Sequence, residues 1–255
     1  MDSGSHKIYH VHGYDSRQFL EHYFSDKPDM VFKEDSFIFP IENLEKTFAE
    51  GHISGDVLID LSAGPVAHHL FSACKFFKHT IVLKNYLNLF ALCSIDKAWS
   101  CQVLSFPELQ PAQEESDQLQ DKVGNVRSVV EHVMKCDLEK ENMTDPIILP
   151  PADCVMSGWL LDEISKDKDD YRRYLKKISL LLKPRGHLIL LGALDMTYFT
   201  VGKDKIRGFR YDEDFARKAL VGEGFVIDNC VVKKRTVESD LTDYKGVLFV
   251  AAHKK

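Results

Sequence analysis

At 255 residues, with 44% hydrophobic and 28% charged residues, the chain has ordinary globular composition and enough length to bury a large core. Its formal net charge of −6 argues against a broad nucleic-acid or membrane surface, and the basic runs at 203–210 and 233–235 are short. The six cysteines show no CxxC spacing, and there is neither an apolar leader nor a run of transmembrane length. The expectation is a cytoplasmic protein with free, mostly buried thiols.

In chain order, residues 16–22 (SRQFLEH) have helical spacing that puts Phe19, Leu20 and Tyr23 on one side, and 42–49 (ENLEKTFA) form a second helix. Together they make an N-terminal helical cap over residues 1–50. The run 57–61 (VLIDL) is a short buried strand containing Asp60. A turn through Ser62, Ala63 and Gly64 follows, and Pro65 suits the first position of a helix that continues to Cys74. Residues 79–83 predict a second strand and 86–95 a helix. The Pro- and Gln-rich stretch near 100–118 has no period and reads as a loop insertion.

A helix over 118–135 feeds a strand at 133–136, and 154–157 form another strand. Residues 170–182 are an amphipathic helix with Asp169 or Asp170 as cap. Lys183-Pro184-Arg185-Gly186 then turns the chain into a strand at 187–192, with Gly186 supplying the permissive backbone. A hairpin near 198–211 bends around Gly202, and a helix at 212–222 precedes strands at 225–233 and 247–252. This alternation predicts an α/β protein: one domain over 1–255, with a Rossmann-like core at 51–255 built on a mostly parallel seven-stranded sheet with helices on both faces. Ligands of such sheets lie beyond the carboxyl ends of the strands. Asp60–Gly64, Asn85, Asp137, Gly158 and Gly192 stand at those ends.

Several blocks occur together in order: SRQFLEHYF, GDVLIDLSAGP, VMKCDL, LPPADCVMS, LLKPRGHLIL, YFTVGKDKI and GVLFVAAHKK. They resemble the family of nicotinamide, phenylethanolamine and indolethylamine (thioether) N-methyltransferases, over nearly the whole chain and least well at 84–120. The resemblance implies the S-adenosylmethionine-dependent methyltransferase fold, S-adenosyl-L-methionine as cofactor, and a small amine, pyridine or thioether as substrate. A monomer is expected, and the mild net charge leads to the expectation of no nucleic-acid or membrane partner.

For the cofactor site, the resemblance implies a turn of small residues after Asp60, with glycine usual at the positions of Ser62 and Gly64. If Ser62 needs φ > 0 the strain is about 1 kcal/mol; serine also fits many ordinary turns. Asn85 replaces an acid that accepts from the ribose hydroxyls, or is a simple turn residue. Asp137 and Leu138 match an Asp-Val pair at the adenine, although an Asp after a strand also caps the next segment. Phe19 and Phe24 stand where two tyrosines close over the ligands, and both would equally suit the core face of a helix. His68 replaces a tyrosine, Phe90 an asparagine and Gly158 a threonine.

In the nicotinamide enzymes an acid after the fifth strand and a nearby serine hold the substrate amide. Gly192 and Met196 match them here, Phe199 replaces a tyrosine, and Trp159 replaces a smaller apolar residue. The pocket has lost polar anchors and gained an indole, so nicotinamide is expected to be a poor substrate and a hydrophobic thioether or aromatic amine a better one. Asp195 is the nearest surviving carboxylate, either an anchor after a small register shift or an exposed turn residue. Methyl transfer needs positioning rather than a catalytic side chain. No metal set is expected, since His10 and His12, or His68 and His69, lack further ligands. Asp162 and Glu163 are adjacent carboxylates that point apart on a helix. The clustered substitutions leave a catalytically impaired binding protein as the alternative reading.

Overall fold

The computed structural model describes residues 15–23, 32, 34–64, 69–84 and 128–255. The helix expected at 86–95, the insertion at 100–118, and Pro65, Phe24, His68, Asn85 and Phe90 lie outside the described residues.

The N-terminal part holds α1 (Ser16–Tyr23), a π-helical turn (Glu34–Ile38) and α2 (Phe39–Ala49). Then come β1 (Gly55–Asp60), α3 (Leu70–Ala73), β2 (Phe77–Lys84), β3 (Val130–Lys135), β4 (Ala152–Gly158), α4 (Leu160–Ile164), α5 (Lys168–Leu180) and β5 (Leu182–Leu194). The hairpin β6 (Tyr198–Val201) and β7 (Asp204–Arg207), α6 (Glu213–Gly222), β8 (Phe225–Lys234) and β9 (Gly246–Lys254) complete the chain.

Seven strands form one sheet in the order β3-β2-β1-β4-β5-β9-β8. The first five run parallel, and β9 and β8 are antiparallel additions at one edge. The central strands are covered on both faces, which is why they read as unbroken apolar runs: Leu58, Ile59, Cys154, Val155, Leu188 and Leu190 are all buried. The order reverses between β1 and β4, so a crevice opens at their carboxyl ends. Among the described residues, no helix is long and apolar enough to cross a membrane. Cys74, Cys136, Cys154 and Cys230 are free thiols, the first three buried.

Two local expectations are corrected. Asp167 caps α5, accepting the N–H groups of Asp169 and Asp170 at 2.9 Å each. Its extended backbone (φ −155°) lets the carboxylate reach them, while Asp170 pairs with Arg173 instead. The Lys183–Gly186 segment belongs to β5, with a register shift against β4 between Ala152 and Cys154. Arg185, not Gly186, takes the left-handed conformation at φ +62°. Gly186 is needed because a Cβ there would lie 3.0 Å from the Lys183 carbonyl and 3.1 Å from that of Ala152.

Candidate functional site

The end of β1 sets the floor of the crevice. Asp60 is fully buried, and its Oδ1 accepts from Ser62 Oγ at 2.7 Å and from His69 Nε2 at 2.8 Å. Lys84, at the end of β2, brings its Nζ to 3.6 Å from Oδ2 and donates to the Ser62 carbonyl at 3.1 Å. Burial alone would raise the Asp60 carboxyl; His69 and Lys84 beside it, and the bonds from His69 and Ser62, outweigh that and hold it well below its ordinary range. Asp60 therefore acts beneath the turn, bracing it.

Ser62 does not adopt positive φ, so the strain conceived for a left-handed serine does not arise. Its Oγ points inward and accepts the N–H of Gly158 at 2.9 Å. A Cβ at Gly158 would lie 3.1 Å from that Oγ. The serine hydroxyl thus takes up room that a larger residue at the end of β4 would need. With Ser62 turned down, the turn presents Ala63 and Gly64, and Gly64 sits at φ +68° where a side chain would be strained. Beyond β3, Asp137 accepts the N–H of Glu139 on Oδ1 at 3.0 Å, so it caps its own turn. Leu138 is buried, and its carbonyl takes Lys177 Nζ at 2.5 Å.

A pocket lies beside Ala63, with about 640 Å³ of space in and before it once the open solvent at its mouth is counted. The structure brings Phe19, Trp159, Met196 and Phe199 together around it. Tyr23, Phe32, Ser36, Glu163, Ala193, Thr242, Tyr244 and Val247 complete the lining. The rings form a continuous wall, with Phe19–Tyr23 centroids at 4.9 Å and Tyr23–Phe32 at 5.2 Å. Tyr23 ties α1 to the hairpin by donating to the Thr200 carbonyl at 3.0 Å. Tyr244 donates to the buried Asp35 in the π-helical turn at 2.5 Å. Trp159 enters the pocket from a left-handed backbone (φ +53°), its N–H held by the Leu191 carbonyl at 2.9 Å.

Two expected residues stand away from this pocket. A Cβ at Gly192 would come 2.0 Å from the Tyr211 hydroxyl and 3.0 Å from Asp162, so that position is filled from within and Ala193 lines the pocket instead. Asp195, at φ +57°, pairs with Arg210 Nε at 2.9 Å and does not reach the lining.

Consecutive helical residues sit about 100° apart, and α4 uses that angle to separate two acids. Asp162 faces the core, accepting from the Ala193 N–H and the Tyr211 hydroxyl at 2.6 Å each. Burial pushes it up to about 7 against those two bonds. Glu163 faces the pocket, where its Oε2 is buried without a hydrogen-bond partner. Burial, and then Asp162 beside it, raise its carboxyl well above its ordinary value. Sequence reasoning did not select Glu163; the signal available was the acid pair itself, close after the end of the fourth strand. Phe32 and Ser36 carried no signal. Among the described residues no group of three or more His, Cys, Asp or Glu could hold a metal.

A family model for the NNMT/PNMT/TEMT family matches residues 5–255. The chain is 30% identical to indolethylamine N-methyltransferase of Oryctolagus cuniculus, over 94% of this chain and 92% of that one. It is 29% identical to nicotinamide N-methyltransferase of Homo sapiens, over 100% and 98% of the two chains. Among solved structures, an S-adenosylmethionine-dependent methyltransferase from Clostridium acetobutylicum superposes with a TM-score of 0.56 at 14% identity, covering 93% of this chain and 98% of that one.

Proposed function

Since the chain belongs to the NNMT/PNMT/TEMT family and is an S-adenosylmethionine-dependent methyltransferase, we propose that its acceptor is a small, largely apolar aromatic amine or thioether bound against Trp159, Phe199 and Tyr244. The observation that carries this reading is the aromatic pocket next to Ala63, the residue that joins it to the turn after β1.

The described residues fit the cofactor. Ser62 keeps its side chain inward and its hydroxyl satisfied, so the turn offers nearly bare backbone at Ala63 and Gly64. Ala63, Gly64, Asp137 and Leu138 would hold it, with Asp60 and Ser62 bracing the turn. When bound, S-adenosylmethionine supplies an electrophilic methyl carbon on a sulfonium. The chain's own part is to orient the acceptor and exclude water. Rings on several walls restrict the acceptor to few poses, and orientation of this kind accounts for much of the barrier reduction in a displacement. Neither Gly192 nor Met196 can bond a substrate amide. The reading extends to a single domain over 1–255, working as a cytoplasmic monomer on a diffusible substrate; the free thiols at Cys74, Cys136, Cys154 and Cys230 support the reducing compartment.

Incubation of the purified chain with S-adenosylmethionine and separate acceptors tests this, with products followed by mass. Methylated 2-phenylethylamine or methyl phenyl sulfide is expected, with nicotinamide turned over at least about tenfold more slowly, the scale of losing a polar anchor. Preference for nicotinamide, or transfer to none of the three, would overturn the proposal.

A further inference from the structure

We infer that Glu163 is the group that binds an incoming ammonium and takes its proton, making this pocket one for protonated amines rather than thioethers. The inference rests on the reading of the pocket as the acceptor site and goes further by choosing within it. Three observations carry it. Glu163 lines the aromatic pocket with Oε2 buried and unpartnered. A buried acceptor without a donor costs about 1 to 3 kcal/mol, and among the described residues left with such an atom Glu163 is the one that lines this pocket, where a ligand can reach it. The surrounding rings, Trp159, Phe199 and Tyr23, offer π faces that suit a cation as well as an arene.

The groups facing Glu163 come from three directions. Asp162 is its neighbour on α4, Lys84 approaches from β2, and Tyr23 from α1. Asp162 is held by the Ala193 N–H and Tyr211, and Lys84 lies against the Ser62 carbonyl and Asp60. Neither can serve the ligand without giving up those bonds. Burial favours the neutral acid in the empty pocket. An ammonium entering beside it displaces that proton to solvent. Transfer back is internal: one N–H bond of the ammonium breaks, the proton forms an O–H bond on the Glu163 carboxylate, and the nitrogen keeps the electron pair. The result is a neutral amine beside a neutral acid, the state in which nitrogen is nucleophilic. A thioether has no proton to give and leaves Oε2 unpaired.

The test counts protons by calorimetry. The full chain, alone and with S-adenosylhomocysteine, is titrated at pH 7 with 2-phenylethylamine in two buffers of different ionisation enthalpy. Wild type is expected to release about one proton per amine bound. Glu163→Gln is expected to release none and to bind the amine roughly tenfold or more weakly, while Glu163→Asp keeps the release. Methyl phenyl sulfide should bind without proton exchange and without sensitivity to Glu163→Gln. Equal proton release by wild type and Glu163→Gln, or sulfide binding without amine binding, would overturn the inference. Methyl transfer read on parallel samples, with S-adenosylmethionine in place of S-adenosylhomocysteine, separates the two claims. Sulfide methylated while amine is ignored removes the role of Glu163 and leaves the methyltransferase reading. Amine bound with proton release, yet nothing methylated, does the reverse.

Discussion

At the scale of single residues, the hydroxyl of Ser62 and the bare Cα of Gly158 share one small volume. Ser62→Gly would leave the Gly158 N–H without its buried acceptor and Asp60 without one donor, an expected loss of about 1 to 3 kcal/mol in denaturant unfolding. Gly158→Thr alone would push a side chain into the Ser62 oxygen and should cost a similar amount. The double substitution should recover at least about 1 kcal/mol of the summed losses, because the threonine then occupies the vacated space. Strictly additive losses would show that the two positions are independent. Viewed singly in the sequence, the two changes looked like separate departures at the expected cofactor site. Their pairing became visible only when the end of β4 was set against the turn, 96 residues away in the chain.

At the scale of elements, α4 decides the electrostatics of the site. Asp162 titrates at about 7 when folded, above its ordinary carboxylate value, so the folded state favours the proton. Its contribution is complete below the ordinary carboxylate range and is lost as pH rises towards 7. Asp60, held low, acts in the opposite sense and weakens the fold only in stronger acid. Unfolding free energy is therefore expected to fall by about 1 to 2 kcal/mol between pH 5.5 and pH 8. Asp162→Asn should flatten part of that slope, with the remainder belonging to Glu163. Stability that rises over this interval would contradict the burial of both acids. The strands were legible because burial on both faces writes continuous apolar runs. The five-residue α4 was too short to show a period, and the π-helical turn at Glu34–Ile38 carries no helical signature. The Pro-Arg-Gly step in β5 looked like a stop because its turn chemistry is local, whereas the pairs with β4 on either side of it, Ala152 with Leu182 and Cys154 with His187, carry the strand across.

At the scale of the whole molecule, the pocket is closed by segments from both ends of the chain. Tyr23 fastens α1 to the hairpin, Asp35 holds Tyr244, and Lys233 on β8 pairs with Glu34 at 3.1 Å. This long-range closure explains which parts of the site could be read in advance. Phe19 and Phe199 lie in blocks that resemble the family, Trp159 and Met196 lie just outside them, and all four meet at the pocket. Glu163, Phe32 and Tyr244 gain their places only through tertiary packing. The closure joins the aromatic pocket to the turn at Ala63, and the proposed methyl transfer requires that turn to receive the adenosyl cofactor. Calorimetric titration of the chain with S-adenosylhomocysteine tests this most directly. One molecule bound per chain, with affinity weakened at least about tenfold by a bulky Gly64→Val change at the turn, is the predicted result. No detectable binding at millimolar ligand, or binding indifferent to that substitution, would contradict it.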